Sequence, residues 1–409
     1  MEARFTPAFL RTTAGREAEG VLRKCVHCGF CLATCPTYQL LGDELDSPRG
    51  RIYLIKQVLE GVAPTAKTQL HLDRCLTCRA CETTCPSGVS YHKLLETGRA
   101  EVDRQVPRPL RARALRWLMG AVFRRRRVFG VLVALGRFVS FLLPAELQRQ
   151  LKAEPAGEWP APTVIPAQAG IQPSRRMLLL QGCVQPALRP NINAACARVL
   201  DRIGISAIEA PAAGCCGALR AHLPDAAGGL ADARALIDAW GPQVEAGVEA
   251  IVVTASGCGV QVKDYDRLLR DNPAYAAKAA RIAELARDPS EVIAPEIGKL
   301  FVGPQPTRGK VAFQSPCTLQ HGQRITGAVE KILTAAGYEL TPVADAHLCC
   351  GSAGTYSITQ PELSRELRRR KLEALMVGEP QVIATANIGC QTHLAAGTET
   401  PVRHWMQLV

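Results

Sequence analysis

The chain has 409 residues, of which 47% are hydrophobic, and a formal net charge of +12. That length predicts two or three domains, because single hydrophobic cores seldom grow past about 250 residues. Residues 99–152 carry thirteen Arg and Lys residues against three acidic ones, which accounts for ten of the twelve net charges. This uneven distribution excludes a surface that is basic everywhere, and we expect no nucleic-acid partner.

Cysteine is unusually frequent, with seventeen residues in the chain. Residues 1–20 carry charges throughout and lack the apolar stretch of a secretory signal peptide. Thiols remain reduced in the cytoplasm, where they are free to bind iron. We therefore expect a cytoplasmic protein whose cysteines serve as metal ligands.

Two cysteine runs with one spacing lie near the N-terminus. Each reads C-x2-C-x2-C-x3-C-P, the spacing of bacterial ferredoxins, in which three thiolates hold one [4Fe–4S] cluster and the fourth ligates the other cluster. Two zinc sites are the alternative, but zinc knuckles use paired C-x2-C hooks without a third cysteine. The sequence therefore predicts two clusters, the first held by Cys25, Cys28, Cys31 and Cys85 and the second by Cys75, Cys78, Cys81 and Cys35.

The segment between the two runs indicates a helical domain. Cys35 and Cys75 are separated by 39 residues, about twice the separation in a compact bacterial ferredoxin. Ile52, Ile55 and Val58 lie on one face of a helical pattern that extends from residue 50 to residue 60. We expect residues 1–100 to form an α-helical ferredoxin-like domain.

Residues 101–175 are predicted to be a basic connector followed by a linker. Four arginines at 124–127 precede an apolar run at 128–143, which is interrupted by Arg137. The run is too short to span a membrane easily, and its apolar spacing predicts an amphipathic helix. That helix either packs against the protein's own domains or a partner, or lies on anionic lipid. Residues 151–175 are rich in proline and predict a linker.

An internal repeat begins near residue 176, with one copy at 176–309 and the other at 310–409. Two cysteines lie 32 positions apart in both copies, Cys183 and Cys215 in the first and Cys317 and Cys349 in the second. Strands and helices alternate in each copy, which predicts a parallel sheet covered by helices. Residues 271–309 have no equivalent length in the second copy and are predicted to be an insertion.

The cysteines of each copy follow the predicted strand ends, where sites form in parallel sheets. Each set is therefore expected to meet at one point as a candidate site for a further iron–sulfur cluster. Cys196 has no equivalent, because Glu330 occupies its position in the second copy, and it is predicted to be a buried helix residue. The two sets are Cys183, Cys215, Cys216 and Cys258, and Cys317, Cys349, Cys350 and Cys390.

Essentially the whole chain resembles the iron–sulfur subunits of bacterial glycolate oxidases. The resemblance is carried by Cys35-Pro-Thr-Tyr38, residues 41–53, residues 74–89 and Pro401-Val-Arg-His-Trp405. It implies an α-helical ferredoxin-like domain followed by two α/β repeats of the Cys-Cys-Gly type, here called CCG repeats. Such repeats also occur in heterodisulfide reductase, in anaerobic glycerol-3-phosphate dehydrogenase and in lactate-utilisation proteins, whose complexes are the alternative assignments.

The resemblance also implies a function. Flavoprotein subunits that hold FAD would oxidise glycolate to glyoxylate, and this chain would pass the electrons singly toward quinone or another acceptor. The complex would lie peripherally at the inner face of the cytoplasmic membrane. The sequence contains no G-x-G-x-x-G after a strand and no P-loop, so no catalytic residue is predicted in this chain.

The CCG repeats depart from the fullest pattern of their type, which ends in C-x2-C and has five cysteines. Ala255 and Asn387 stand where the first cysteine of that pair is expected. The departure counts against a five-cysteine, non-cubane cluster and against disulfide reduction at the repeats. Two interpretations stay open, since four thiolates are enough for a cluster, whereas repeats without metal would only dock partners.

Overall fold

The computed structural model describes residues 1–160, 175–223 and 225–409. An α-helical domain is followed by a helical connector and by two α/β repeats, each with a four-stranded parallel sheet. The predicted fold class, α-helical followed by α/β, is confirmed. The predicted proline-rich linker falls largely on residues 161–174, which lie outside the described residues.

The N-terminal domain is built around a buried helix pair. Helix Pro48–Leu59 packs on helix Tyr91–Gln105, and Gly98 allows the close approach because a Cβ there would lie 2.6 Å from an Ile55 carbon. Leu22, Leu94 and Ile55 are fully buried in this core. The helices of the domain are Pro7–Leu10, Thr13–Lys24, Pro36–Leu41, Pro48–Leu59, Ala66–Asp73, Ala80–Thr83 and Tyr91–Gln105.

The connector consists of three helices, Leu110–Phe123, Arg126–Phe138 and Ala145–Leu151. The predicted helix at 128–143 is therefore shorter than expected, ends at Phe138, and is followed by a 3-10 turn at Ser140–Leu142. Within the described part of the chain, no helix combines the length and apolarity that crossing a membrane requires.

The first CCG repeat contains four parallel strands, β1 (Arg175–Leu179), β2 (Ile205–Ile208), β3 (Ala250–Val252) and β4 (Ala286–Arg287), in the order β2-β1-β3-β4. Helices connect successive strands, as parallel pairing requires. The longer helices are Asn191–Arg202, Ala226–Glu245, Ser256–Lys263 and Ala276–Leu285, and the shorter ones are Gln185–Leu188, Ala218–His222, Tyr265–Leu269, Pro289–Ile293 and Ile297–Leu300.

The second CCG repeat has the same topology. Its strands are β5 (Lys310–Gln314), β6 (Glu339–Leu340), β7 (Val382–Thr385) and β8 (Val402–His404), in the order β6-β5-β7-β8. The strand β4 occupies the place of β8, so the segment predicted as an insertion includes an element that both repeats share. The helices are Ala328–Ala335, Tyr356–Thr359, Pro361–Met376 and Ile388–Ala395, with a π-helical turn at Thr318–Gly322.

The two repeats share one hydrophobic core. Side chains from both sheets, among them Leu179 and Val252 of the first and Phe313 and Ala384 of the second, are buried in one cluster. The fully buried His404 of β8 also lies across the junction, with its Nε2 3.0 Å from the backbone oxygen of Thr254. The strand ends of the two repeats are thereby held against each other.

Candidate metal centres

The two ferredoxin-type loops have the same backbone conformation. The second residue after the first cysteine of each run has a positive φ, 55° at His27 and 54° at Thr77, and so does the fourth, 86° at Gly29 and 60° at Arg79. Left-handed conformations are unfavourable for residues other than glycine and recur at functional sites. Equal spacing in the sequence has therefore produced equal loops.

Cys25, Cys28, Cys31 and Cys85 line one cavity with about 440 Å³ of empty space. Three of them come from the first loop, and Cys85 comes from the end of the second. Cys81 borders the same cavity, and Pro48 and Ile52 contribute to its wall. This is the set of cysteines that the sequence predicted for the first cluster.

A second cavity, with about 390 Å³ of empty space, is lined by Cys35, Cys75, Cys78 and Cys81. Here Cys35 comes from the first loop, at the start of helix Pro36–Leu41, and the others come from the second loop. The structure thus brings together each predicted set of four, with one cysteine of each set supplied by the other loop.

Several of the cysteine thiols that line the two cavities are unfavourable to ionise because they are buried. Burial raises the pKa of the Cys31 thiol to about 11, and neighbouring cysteines contribute to the increase. Burial also raises the pKa values of Cys78 and Cys81 well above the ordinary range. A metal cluster supplies the positive charge that stabilises thiolates, and four thiols around an open cavity fit such a group.

The two cavities differ in their surroundings. Cys28 is exposed at the first cavity, and so are its neighbours Val26 and Phe30, at 69% and 63%. The second cavity is covered by the second CCG repeat, since Cys78 packs in one apolar cluster with Cys349 and Tyr356. The Tyr356 hydroxyl donates to the backbone oxygen of Arg74 at 3.2 Å. The first cavity therefore faces outward and the second faces the repeats.

The four cysteines of the first repeat converge, as the sequence predicted. Cys183 follows β1, and Cys258 lies in helix Ser256–Lys263 after β3. Electrostatic interactions link the thiols in series, from Cys183 to Cys215, from Cys215 to Cys216 and from Cys216 to Cys258. Hydrogen bonds from Cys183 and Cys216 lower the pKa of the Cys215 thiol to about 3.

The second repeat has an equivalent series of contacts. Cys317 Sγ lies 3.8 Å from Cys349 Sγ, and further contacts link Cys349 to Cys350 and Cys350 to Cys390. The neighbouring thiol of Cys390 and burial raise the pKa of Cys350 well above its ordinary value. Four thiols are gathered in each repeat, with Cys317 and Cys349 in contact.

The glycine of each Cys-Cys-Gly triplet has a steric role. Gly217 and Gly351 have φ values of 86° and 89°. A Cβ at Gly217 would lie 2.4 Å from the backbone oxygen of Gly229, and one at Gly351 would lie 2.6 Å from that of Ser364. Glycine at these positions therefore lets the cysteine pair approach the following long helix.

Ala255 and Asn387, which replace the expected fifth cysteines, lie at the junction of the repeats. The backbone N–H of Ser256 donates to the Ala386 oxygen at 3.1 Å, next to both positions. Asn387 Nδ2 also donates to Cys390 Sγ at 3.6 Å. Asn387 thus offers a hydrogen bond to the sulfur set, a role that the sequence interpretation missed and that its place three residues before a cysteine could have suggested.

Sequence reasoning also missed Arg51, which lines the second cavity and is 1% exposed. Burial opposes a charged guanidinium, but the facing Cys75, Tyr91 and Cys35 raise its pKa above the ordinary value. The sequence did offer a sign of this burial, because Arg51 lies on the same predicted helix face as the apolar Ile55 and Val58.

The connector presents an apolar and basic surface. Trp117 and Phe138 are 73% and 81% exposed. The arginines at 125–127 are exposed as well, whereas Arg124 lies 3.4 Å from Asp232 of the first repeat. The large exposed apolar residues are Leu110, Leu115, Trp117, Leu118, Val128, Val131, Leu132, Leu135, Phe138, Val139, Phe141, Leu142 and Leu147.

Comparisons with known proteins agree with this architecture. Residues 21–89 match a 4Fe-4S dicluster domain, and residues 177–263 and 311–395 match a cysteine-rich domain. These matches support iron–sulfur clusters as the cofactors of the chain. The paired cysteine-rich matches correspond to the two sheets described above.

Similar proteins include relatives in three organisms. A subunit of the CoM/CoB fumarate reductase of Methanothermobacter marburgensis is 23% identical over 92% of this chain and 68% of its own length. A "Probable glycolate oxidase iron-sulfur subunit" of Bacillus subtilis is 31% identical over 94% of this chain and 90% of its own length. The "Glycolate oxidase iron-sulfur subunit" of Escherichia coli is 54% identical over 100% of this chain and 98% of its own length. With this identity along the full chain, the protein belongs to the family of glycolate oxidase iron–sulfur subunits.

Proposed function

We propose that this chain is the electron-transfer subunit of a complex that oxidises glycolate to glyoxylate. Flavoprotein subunits that bind FAD carry out the oxidation, and this chain accepts electrons from them and delivers them to quinone or another acceptor. The observation that carries the proposal is the pair of cysteine-lined cavities, each containing one complete predicted set of four, in a chain of this family.

Within that function we propose a ligand assignment. Cys25, Cys28, Cys31 and Cys85 hold the first [4Fe–4S] cluster, and Cys35, Cys75, Cys78 and Cys81 hold the second. Iron–sulfur clusters supply one-electron transfer, while the protein fixes their positions and potentials. The location of each set around one cavity supports this assignment.

We propose an order for the two centres. The first cavity, with exposed Cys28, faces the electron-donating subunit. The second lies against the second CCG repeat through the packing of Cys78 on Cys349. Electrons therefore enter the chain at the outward-facing loop and move toward the repeats.

We propose in addition that at least one CCG repeat binds metal. The sets Cys183, Cys215, Cys216 and Cys258, and Cys317, Cys349, Cys350 and Cys390, each gather four sulfur atoms. Buried reduced thiols in contact are an oxidation hazard, which a bound metal would remove. Because Cys78 and Cys349 lie in one buried cluster, the second repeat is the natural continuation of the electron route.

We propose that the connector attaches the complex to the inner face of the cytoplasmic membrane. Its exposed apolar side chains and the arginines at 125–127 have the composition of a surface that lies on anionic lipid. Packing of the same surface against a partner subunit is the alternative, and a lipid-binding measurement described in the Discussion distinguishes the two.

The experiment that tests the function compares complexes with and without this chain. Glycolate should reduce the flavin of the partner subunits in both cases. Reduction of quinone should require this chain with both four-cysteine sets intact. Glycerol 3-phosphate or lactate serves as the competing substrate, and turnover with one of these instead of glycolate would assign the chain to a different complex.

A further inference from the structure

A buried positive charge lies beside the second of the two ferredoxin-type cavities. Arg51 lies near the N-terminus of helix Pro48–Leu59 and lines the cavity of the second cysteine set. Its Nε donates to the backbone oxygen of His71 at 2.7 Å. Its two terminal nitrogens both lie 3.1 Å from Thr37 Oγ1. The guanidinium is thus held in one orientation.

Arg51 shares a buried carboxylate with a second arginine. Asp46, which is 0% exposed, lies 3.3 Å from Arg51 Nη2 and 2.8 Å from Arg74 Nη1. His71 Nδ1 lies 3.1 Å from the same carboxylate. Two guanidinium groups thus share the Asp46 carboxylate, and the Asp43 carboxylate lies within 4.8 Å of Asp46 and His71. A purely structural ion pair would need only one of these arginines.

Thr37 connects this group to a cysteine of the second set. Its Oγ1 lies 3.3 Å from Cys35 Sγ and donates to the backbone oxygen of Asp46 at 2.9 Å. Because Arg51 donates to the same hydroxyl oxygen, the single hydroxyl proton of Thr37 points to one of these two acceptors. A thiolate at Cys35 competes for it, since hydrogen bonds to charged acceptors are stronger.

The first cavity has a matching arginine in a different setting. Arg49, two residues earlier in the same helix, lines that cavity. Its side chain is 32% exposed and its Nε lies 2.7 Å from Oε1 of Glu44, which is 44% exposed. The charge of Arg49 is therefore paired one to one and screened by water. The arginine at the second cavity is therefore buried, whereas the arginine at the first is partly exposed.

We propose that Arg51, acting through its charge and through Thr37, is a positioning residue that raises the reduction potential of the second cluster above that of the first. The proposal rests on the ligand assignment given above. A reduced cluster carries one more negative charge than the oxidised one, and a nearby buried cation stabilises that state. One electron that leaves the first cluster then reduces the second in a favourable step, toward the CCG repeats.

The test is a redox titration of the anaerobically purified full chain, followed by electron paramagnetic resonance. Loss of one signal in Cys28→Ser and of the other in Cys78→Ser identifies the first and second clusters. In Arg51→Met the midpoint potential of the second cluster should fall by the equivalent of about tenfold in the reduced-to-oxidised ratio, about 59 mV for one electron. Arg49→Met should leave the midpoint potential of the second cluster unchanged.

Two further variants separate charge from structure. Arg51→Lys keeps the charge, so the midpoint potential of the second cluster should stay close to that of the unaltered protein. A purely structural role of Arg51 would not predict this result. Thr37→Val keeps the shape of the side chain but removes its hydroxyl. It should lower the midpoint potential of the second cluster by less than Arg51→Met does. If Arg51→Met does not assemble both clusters, Thr37→Val decides the question, and an unchanged second potential in it overturns the inference.

Other results would overturn either the inference about Arg51 or the ligand assignment. An unchanged second potential in Arg51→Met with both clusters present overturns the inference, as does an equal shift in Arg49→Met. If Cys28→Ser and Cys78→Ser fail to remove different signals, the ligand assignment itself is wrong. The two failures are therefore distinguishable, because the first leaves the assignment intact.

Discussion

The cysteines of the ferredoxin domain and those of the CCG repeats are arranged differently. In the domain, each set of four lines a common open pocket. In the repeats, the thiols touch, with 3.8 Å between Cys317 Sγ and Cys349 Sγ.

The local backbone explains this difference. The ferredoxin loops place left-handed residues between their cysteines, at His27 and Gly29 and at Thr77 and Arg79, and so hold the thiols around a common cavity. In the repeats, vicinal cysteines such as those at 349 and 350 follow one another directly. A single tetrahedral ion with metal–sulfur bonds of about 2.3 Å separates its thiolates by about 3.8 Å. A cubane cluster in a repeat would therefore require the side chains to move apart.

The largest effect should come from removing a ligand of the second cavity. Cys78→Ser should eliminate the second cluster and lower acceptor turnover by about a hundredfold or more, because a missing thiolate breaks the electron path. Flavin reduction by glycolate should persist. Iron content and quinone reduction measure both effects. Cys196→Ala is the matched control, since this fully buried cysteine lies in helix Asn191–Arg202, and normal turnover in Cys78→Ser would refute the assignment.

The second-largest effect should come from the cysteines of the second CCG repeat. Replacing Cys317, Cys349, Cys350 and Cys390 with serine in the full chain should lower turnover by about tenfold, if metal in this repeat continues the path from Cys78. The same change at Cys183, Cys215, Cys216 and Cys258 should have a smaller effect. Iron, zinc and acid-labile sulfide analysis of each variant measures the metal that is lost, and unchanged metal content in both would leave the repeats as docking modules.

The connector provides a third test, which separates lipid from partner contact. The arginines at 125–127 are exposed, and each contributes about 1 kcal/mol near an anionic membrane. Changing all three to glutamine should weaken binding to vesicles with anionic lipid by about a hundredfold, and high salt should have a similar effect on the unaltered protein. Glutamine at Arg365, Arg369 and Arg370, exposed residues of helix Pro361–Met376, is the control for net charge. Equal binding of both triple variants would favour packing on a partner.

Much of the fold followed from sequence patterns that act locally. Strands and helices alternate in the second repeat as expected, since a proline starts helix Pro361–Met376 and three of the four residues in strand Val382–Thr385 are β-branched. The convergence of the cysteines followed from their positions after strand ends.

The missed features depend on contacts between distant segments. The two-residue strand β4 is too short to produce a pattern, and the packing of Cys78 on Cys349 joins two domains. The burial of Arg51 likewise depends on Thr37 and His71, which belong to other helices. The spacing of residues within one segment does not indicate these contacts between distant segments.

The smallest effect should distinguish two glycines of the second repeat. Gly351→Ala should lower the free energy of unfolding by about 3 kcal/mol, since its φ is 89° and its Cβ would lie 2.6 Å from the Ser364 oxygen. Gly327→Ala should cost only about 1 kcal/mol, because its φ is 73° but its Cβ would meet open space. Urea denaturation of the full chain with its clusters intact measures both values. Equal losses would show that backbone strain alone requires this glycine, and that the close approach of helix Pro361–Met376 does not.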